Sequence, residues 1–177
     1  TNTSVLTTDS PVTPNASPIV STGGGAVSYS IADAGGSGCT VNSSSGVISF
    51  TTSGACQVTA TAVATDNYQS GSATVTFTIT KATQTITFGS LTNQAFGTGP
   101  YAISGSTDAT GLLLSFSTTT PTVCSVTGGT SVVGGNTPAA VSLLATGTCT
   151  IVTSQAGDET YAAATDVSQD FTITQGT

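Results

Sequence analysis

The chain has 177 residues, of which only 5% are charged, and its formal net charge is −7. Histidine is absent, and lysine and arginine together number one, which excludes histidine-based catalytic or metal sites, arginine clamps and phosphate-neutralising patches. The composition therefore predicts no nucleic-acid binding, and no apolar run approaches the roughly 18 residues that would predict membrane insertion.

The first 17 residues differ in composition from the rest of the chain. They contain Pro11 and Pro14, few large apolar side chains, and many threonine, serine and asparagine residues. Proline fixes φ and cannot donate to a strand ladder, so this composition predicts extended backbone outside a sheet interior. We interpret residues 1–17 as an extended N-terminal arm or edge strand, which either completes the first module or pairs with a neighbouring chain.

Apolar residues alternate with threonines along much of the remaining chain. Val75, Phe77 and Ile79 alternate with threonines, and Ile86 and Phe88 do the same a few residues later. Alternation of this kind is typical of half-buried antiparallel strands, and turn residues recur about every 8–12 residues, as in a β-sandwich. The pattern predicts an all-β fold without helices.

The chain contains two copies of one module. Each half has two cysteines, an aspartate followed by a tyrosine, and a final Phe-Thr-Ile-Thr strand, in that order: Cys39, Cys56, Asp66, Tyr68 and Phe77, then Cys124, Cys149, Asp158, Tyr161 and Phe171. The second cysteine precedes the tyrosine by 12 positions in both halves. The one large difference is the spacing between the cysteines, and the extra residues fall in a glycine-rich stretch that predicts a longer loop.

Strand parity places all four cysteines on core-facing positions; Cys56, for example, shares its face with Val58. The absence of CxxC spacing and of histidine favours two disulfides over a zinc site. We predict the pairs Cys39–Cys56 and Cys124–Cys149, because the other pairings would cross-link the modules and break the repeat. Two disulfides imply an oxidising compartment.

The boundary between the modules is expected at Lys81-Ala82-Thr83, between two predicted strands. This junction is short and lacks glycine and proline, which predicts a stiff link rather than a flexible one. The first module then spans residues 18–81, with the arm as an additional strand where it pairs in cis, and the second spans residues 82–177.

The second module resembles a known type of repeat. Its segments Gln84-Thr-Ile-Thr-Phe88 and Gly97-Thr-Gly-Pro-Tyr101 are similar to the opening of bacterial immunoglobulin-like repeats, and Gln155–Tyr161 is similar to their closing part. The first module resembles putative-Ig or cadherin-like variants in Ala26–Ile31 and Gly46–Ser49. The resemblance implies two tandem immunoglobulin-like β-sandwiches of a secreted or surface-anchored protein, where such repeats serve most often as spacers.

The carboxylates suggest one ligand-binding alternative. Asp66 and Asp158 precede the repeat tyrosines, and the favoured interpretation is that each closes a tight turn while Tyr68 or Tyr161 packs at a strand corner. The alternative is calcium at a module end, for which the candidates are Asp158, Glu159, Asp166 and Asp170. The sequence contains no Asp-rich calcium-loop motif, so we expect no metal and no cofactor.

Enzymatic activity is not expected from this composition. A serine or threonine nucleophile needs a base, and Lys81 is the one side-chain amine that the chain offers. Three Asn-x-Ser/Thr sequences, at Asn2, Asn15 and Asn42, are candidate glycosylation sites.

These observations leave three functions open, all of them extracellular or at a cell surface. The first is a non-enzymatic structural module, a rigid stalk or spacer of a bacterial surface protein or adhesin, with further immunoglobulin-like modules as partners. The second is the repeating subunit of an extracellular filament, in which residues 1–17 add a strand to the sheet of another copy. The third is an adhesin domain that binds calcium or a glycan of the host surface.

Overall fold

The computed structural model describes residues 3–12, 23–33, 35–128 and 136–176, and these residues are organised almost entirely as β-strands and turns. The chain divides into two compact units, Thr1–Ala82 with Glu159–Tyr161, and Thr83–Asp158 with Ala162–Thr177. Each unit contains its own hydrophobic core. The predicted all-β fold with two sandwich modules is confirmed.

The described residues of the first unit form six strands and one short 3-10 helix. The strands make one sheet in the order β1-β6-β5-β2 and a second, two-stranded sheet from β3 and β4. Their bounds are β1 Thr3–Leu6, β2 Val27–Asp33, β3 Thr40–Val41, β4 Ile48–Ser49, β5 Gly54–Ala62 and β6 Gly71–Thr80, and the 3-10 helix is Thr7–Asp9.

The hairpin of β5 and β6 forms the centre of the larger sheet. The two strands pair antiparallel without interruption, from Gly54 opposite Ile79 to Ala62 opposite Gly71. Phe77 and Ile79 are buried, whereas Thr78 and Thr80 are exposed and Thr76 is half-buried. The alternation in the sequence therefore marks which side of this sheet covers the core.

The N-terminal residues pair within their own module. Strand β1 lies parallel to the last four residues of β6, and its Val5 packs against the first core. After the 3-10 helix, the Val12 N–H donates to the Ile48 carbonyl and the Ile48 N–H donates to the Val12 carbonyl, both at 2.9 Å. Part of the predicted arm is thus an edge strand in cis, while residues 1–2 and 13–17 lie outside the described residues.

The second unit has the layout of a complete two-sheet sandwich in its described residues. One sheet has the order β10-β13-β14-β8 and the other β11-β12-β9-β7. The strands are β7 Ile86–Thr87, β8 Gln94–Ala95, β9 Tyr101–Thr107, β10 Ser115–Thr118, β11 Cys124–Gly128, β12 Asn136–Leu143, β13 Gly147–Ser154 and β14 Val167–Thr174.

A disulfide closes each core. Cys39, directly before β3, is bonded to Cys56 of β5, and Cys124 of β11 is bonded to Cys149 of β13. In the second unit the bond joins the two sheets, because β11 and β13 belong to different ones. The prediction of one disulfide in each module, with these pairings, is confirmed.

Replacing both cysteines of one bridge by alanine is expected to lower the free energy of unfolding of that module by about 3 kcal/mol, because the unfolded chain regains the freedom that the closed loop removed. Cys39→Ala/Cys56→Ala should weaken the first module, and Cys124→Ala/Cys149→Ala the second. Urea unfolding combined with hydrogen exchange measured separately for each module tests this. Exchange that is unchanged in the altered module would contradict it.

Candidate functional site

The outward face of the β5–β6 hairpin is lined with threonines. We call this surface the threonine face; its members are Thr59, Thr61, Thr74, Thr76, Thr78 and Thr80. The hydroxyls of Thr59 and Thr74, which lie opposite each other, are 2.8 Å apart and hydrogen-bonded. Neither β5 nor β6 contains a charged residue. The face therefore offers hydroxyl groups to water or to an uncharged partner, and contains no group suited to acid–base chemistry.

The tip of the same hairpin exposes two large side chains. A tight turn is closed by the Thr65 N–H donating to the Tyr68 carbonyl at 2.8 Å and the Tyr68 N–H donating to the Thr65 carbonyl at 3.3 Å. Asp66 lies inside this turn, as predicted for a turn residue, but Tyr68 is 56% exposed and Val63 is 54% exposed. The packed corner expected for Tyr68 is therefore wrong. Its ring instead lies against Gly23, where a Cβ would come within 2.6 Å of it.

The matching positions in the second half are arranged differently. Tyr161 is half-buried and forms a parallel bridge with Ala82, both within the first unit as the contacts define it. Asp158 is exposed and belongs to the second unit. The two repeat tyrosines therefore differ in burial although their spacing from the second cysteine is identical, and both aspartates are exposed.

The structure does not gather the acidic candidates into a cation site. The four candidates, all of them exposed, are Asp158, Glu159, Asp166 and Asp170. Within the described ranges, no group of three or more histidine, cysteine, aspartate or glutamate side chains is placed to hold a metal ion. Calcium binding by these residues stays an untested hypothesis, to which the geometry adds no support.

The other two tyrosines pack in the cores. Tyr29 lies against the first core and Tyr101 against the second. The Tyr101 ring meets Phe171 edge-on, with the ring centroids 5.2 Å apart, and its hydroxyl accepts a hydrogen bond from the Thr92 N–H at 2.9 Å. These rings stabilise packing rather than form a platform for sugar stacking.

One of the three candidate glycosylation sites lies in a described segment. Asn42 is exposed at the turn between β3 and β4, and its Oδ1 accepts hydrogen bonds from the Ser44 and Ser45 N–H groups at 3.0 and 2.8 Å. The side chain therefore shapes the turn that presents it to solvent. Asn2 and Asn15 lie outside the described residues.

The sequence offered no sign of the role of Asp108. This residue follows β9, and its carboxylate accepts hydrogen bonds from the Thr85 hydroxyl at 2.6 Å and from the Thr85 N–H at 2.8 Å. These bonds, chiefly the one from the Thr85 side chain, lower the pKa of Asp108 below its ordinary value of 3.8. The interaction fastens the start of the short strand β7 to the end of β9.

Gln84 is a second residue whose role was not foreseen. It is buried, and its amide Nε2 donates to the Ala162 carbonyl at 2.7 Å and to Gln155 Oε1 at 3.0 Å. Its Oε1 accepts from the Thr107 hydroxyl at 3.0 Å. Three segments of the second unit thus meet at one amide, which is a structural use of a polar side chain.

Thr153 is the one described residue with a buried side-chain oxygen or nitrogen that lacks a hydrogen-bond partner. It lies in β13, fully buried, opposite Phe116 of β10 and Val167 of β14. A buried hydroxyl without a partner has lost its bonds to water and gained none, so it destabilises the fold.

No protein-family model and no curated protein matches the sequence. Among solved structures, domains 4 and 5 of the S-layer protein SbsC align with 86% of this chain and 74% of their own, at 14% identity and a TM-score of 0.46. In a longer SbsC structure of domains 4–9, the alignment spans only 22% of that chain.

Two further solved structures align with this chain at similarly low identity and TM-score. Drosophila N-cadherin EC1-3 aligns with 87% of this chain and 57% of its own, at 15% identity and a TM-score of 0.37. The fibronectin(III)-like modules of Clostridium thermocellum CbhA align with 84% of this chain and 77% of their own, at 16% identity and a TM-score of 0.37. At these identities and TM-scores the likenesses support no argument about function.

The substitution Thr153→Val is expected to raise the free energy of unfolding of the second module by about 1 kcal/mol, since it replaces an unpaired hydroxyl by a methyl group of similar size. Thr118→Val is the matched control: the Thr118 hydroxyl donates to the Thr150 carbonyl at 2.9 Å, so its loss should destabilise the module by a similar amount. Urea unfolding of both variants gives the comparison. If both substitutions lowered the free energy of unfolding, the conclusion that the Thr153 hydroxyl lacks a hydrogen-bond partner would be contradicted.

Asp108→Asn should change how the stability of the second module depends on pH. Because the pKa of Asp108 is lowered in the folded state, its contribution is present above pH 3.8 and is lost as the pH falls through the folded pKa. The difference in melting temperature between wild type and variant should therefore shrink as the pH is lowered below 3.8. Thermal unfolding across this range measures it, and a constant difference would contradict it.

Proposed function

We propose that this chain is a non-enzymatic structural part of an extracellular protein, and that it serves as a rigid stalk or spacer in a bacterial surface protein. The observation that supports this most directly is the pair of β-sandwich units, each with a disulfide bonded inside its core. Disulfides form and persist in oxidising environments, which favours a location outside the cytosol.

The short connection between the units supports the rigid role. Strand β6 ends at Thr80 and β7 begins at Ile86. Within this connection Ala82 is 5% exposed and Gln84 is 6% exposed, and the Ala82 N–H donates to the Thr160 carbonyl at 2.9 Å. The segment Lys81-Ala82-Thr83 contains neither glycine nor proline, and a short connection without these residues favours a stiff link over a flexible one.

The alternative functions have weaker support. Strand donation by the N-terminal arm is not proposed, because β1 pairs with β6 of its own module. Calcium binding is not proposed, because the candidate carboxylates are not grouped in the described residues. For glycan binding the structure offers one largely exposed tyrosine, Tyr68, at the tip of a hairpin. Among the residues that the structure describes, no particular surface therefore supports adhesin activity.

The rigidity of the spacer is tested by the distance between one spin label in each unit. Thr74 of β6 and Thr148 of β13 are exposed positions where genetically encoded labels leave the disulfides intact. Dipolar spectroscopy should give one narrow distance distribution, because the connection is stiff.

Insertion of Gly-Ser-Gly-Ser after Lys81 is the control for a flexible link. It should broaden the distribution markedly without unfolding either module. A wild-type distribution as broad as that of the insertion variant would overturn the spacer proposal.

A further inference from the structure

Part of strand β6 has a partner on one side only. Its residues Gly71–Ile79 pair with β5, but on the opposite side β1 covers only the last four residues of the strand. Over Gly71–Thr76, no strand among the described residues pairs with the outer side of β6. We call this six-residue segment the open edge.

The open edge lacks the features that normally prevent strand addition. Proteins protect exposed edges with charged residues, prolines, bulges or very short strands. The open edge reads Gly-Ser-Ala-Thr-Val-Thr, its pairing with β5 is free of bulges, and its first four residues are exposed. Its backbone groups are therefore accessible to another strand.

The opposite edge of the same sheet is protected. Strand β2 has an irregularity in its pairing between Ile31 and Asp33. Its Tyr29 N–H, in addition, donates to the Ser43 carbonyl at 2.9 Å. A loop of the same module therefore occupies part of the β2 edge, and an added strand would have to displace it.

The second module provides an internal comparison. Strand β14 matches β6 when Phe171 is aligned with Phe77, and β8 likewise covers only its last two residues. The uncovered part of β14 is protected, since the Thr172 N–H donates to Asn93 Oδ1 at 2.8 Å. Two carboxylates are also present, Asp166 directly before the uncovered part and Asp170 within it, and the matching residues at the open edge are Ser72 and Thr76.

We propose that the open edge is an interface for a second copy of this chain, formed by antiparallel pairing of β6 with β6 of the partner. In this arrangement the same edge of each copy meets the other across a two-fold axis. One surface per chain is therefore enough to form a closed dimer. It joins the two four-stranded sheets into one continuous sheet through backbone hydrogen bonds.

Charge favours a second copy at this place. With a net charge of −7, two copies repel each other over most approaches, but the open edge and the facing strand β5 contain no charged residue. Two identical open edges therefore meet without like charges across the seam. This inference goes beyond the spacer role and does not depend on it.

Analytical ultracentrifugation of the full chain from micromolar to millimolar concentration tests the dimer. Ser72→Asp/Thr76→Asp gives the open edge the carboxylates that β14 has, and should weaken self-association at least about tenfold, because like charges then face each other across the seam.

Gln57→Asp/Thr61→Asp is the matched control. Gln57 lies opposite Thr76 and Thr61 opposite Ser72, so the control adds the same charge on the same face of the hairpin, one strand away from the seam. It should leave self-association close to that of wild type. Circular dichroism and thermal unfolding establish that both variants are folded.

Hydrogen exchange of the wild-type chain gives a readout that needs no variant. Amides of Gly71–Thr76 should exchange more slowly as the protein concentration rises, while those of β2 should not change. A wild-type chain that stays monomeric at millimolar concentration would overturn the proposal and leave the edge to another partner. The proposal would also be overturned if both Asp double variants weakened self-association equally. Slower hydrogen exchange with rising concentration at amides outside Gly71–Thr76, and not within it, would overturn it too.

Discussion

In each module a covalent bond ties a β-sandwich together around a small core. Seven of the described residues are buried in the first core, including both cysteines, and aromatic residues make up only 6% of the chain. Small modules with little apolar area to bury gain a large part of their stability from restriction of the unfolded chain by a disulfide. The disulfide thereby permits surfaces such as the threonine face, which contribute hydroxyl groups and little hydrophobic burial.

The fold could be predicted to the level of strands, modules and cysteine pairs because those features leave local or repeated marks in the sequence. Residues such as Val75, Phe77 and Ile79 alternate with threonines because one side of the strand covers a core. Strand parity also showed that Cys56 faces the core. The repeat then predicted the cysteine pairing. A disulfide within a module occurs once in each copy, whereas a disulfide between the modules would break the repeat.

The remaining features depend on residues distant in the chain, and single positions do not reveal them. Asp108 looked isolated because its partner Thr85 lies 23 positions earlier. Gln84 lies in the connection between β6 and β7, and nothing near it in the sequence shows that its amide meets Ala162. Tyr68 occupies a repeated position, yet the hairpin carries it into solvent, so repetition of sequence did not imply repetition of burial.

The scarcity of basic residues has a consequence for resistance to proteases. Trypsin-like proteases cut after lysine or arginine, and Lys81 is the one such side chain in the whole sequence. The peptide bond that follows it leads to Ala82, which is buried and whose N–H is bonded to the Thr160 carbonyl. A protease needs its target bond in extended, accessible backbone, so the one trypsin-type cleavage point of this chain is shielded for as long as the connection keeps its contacts.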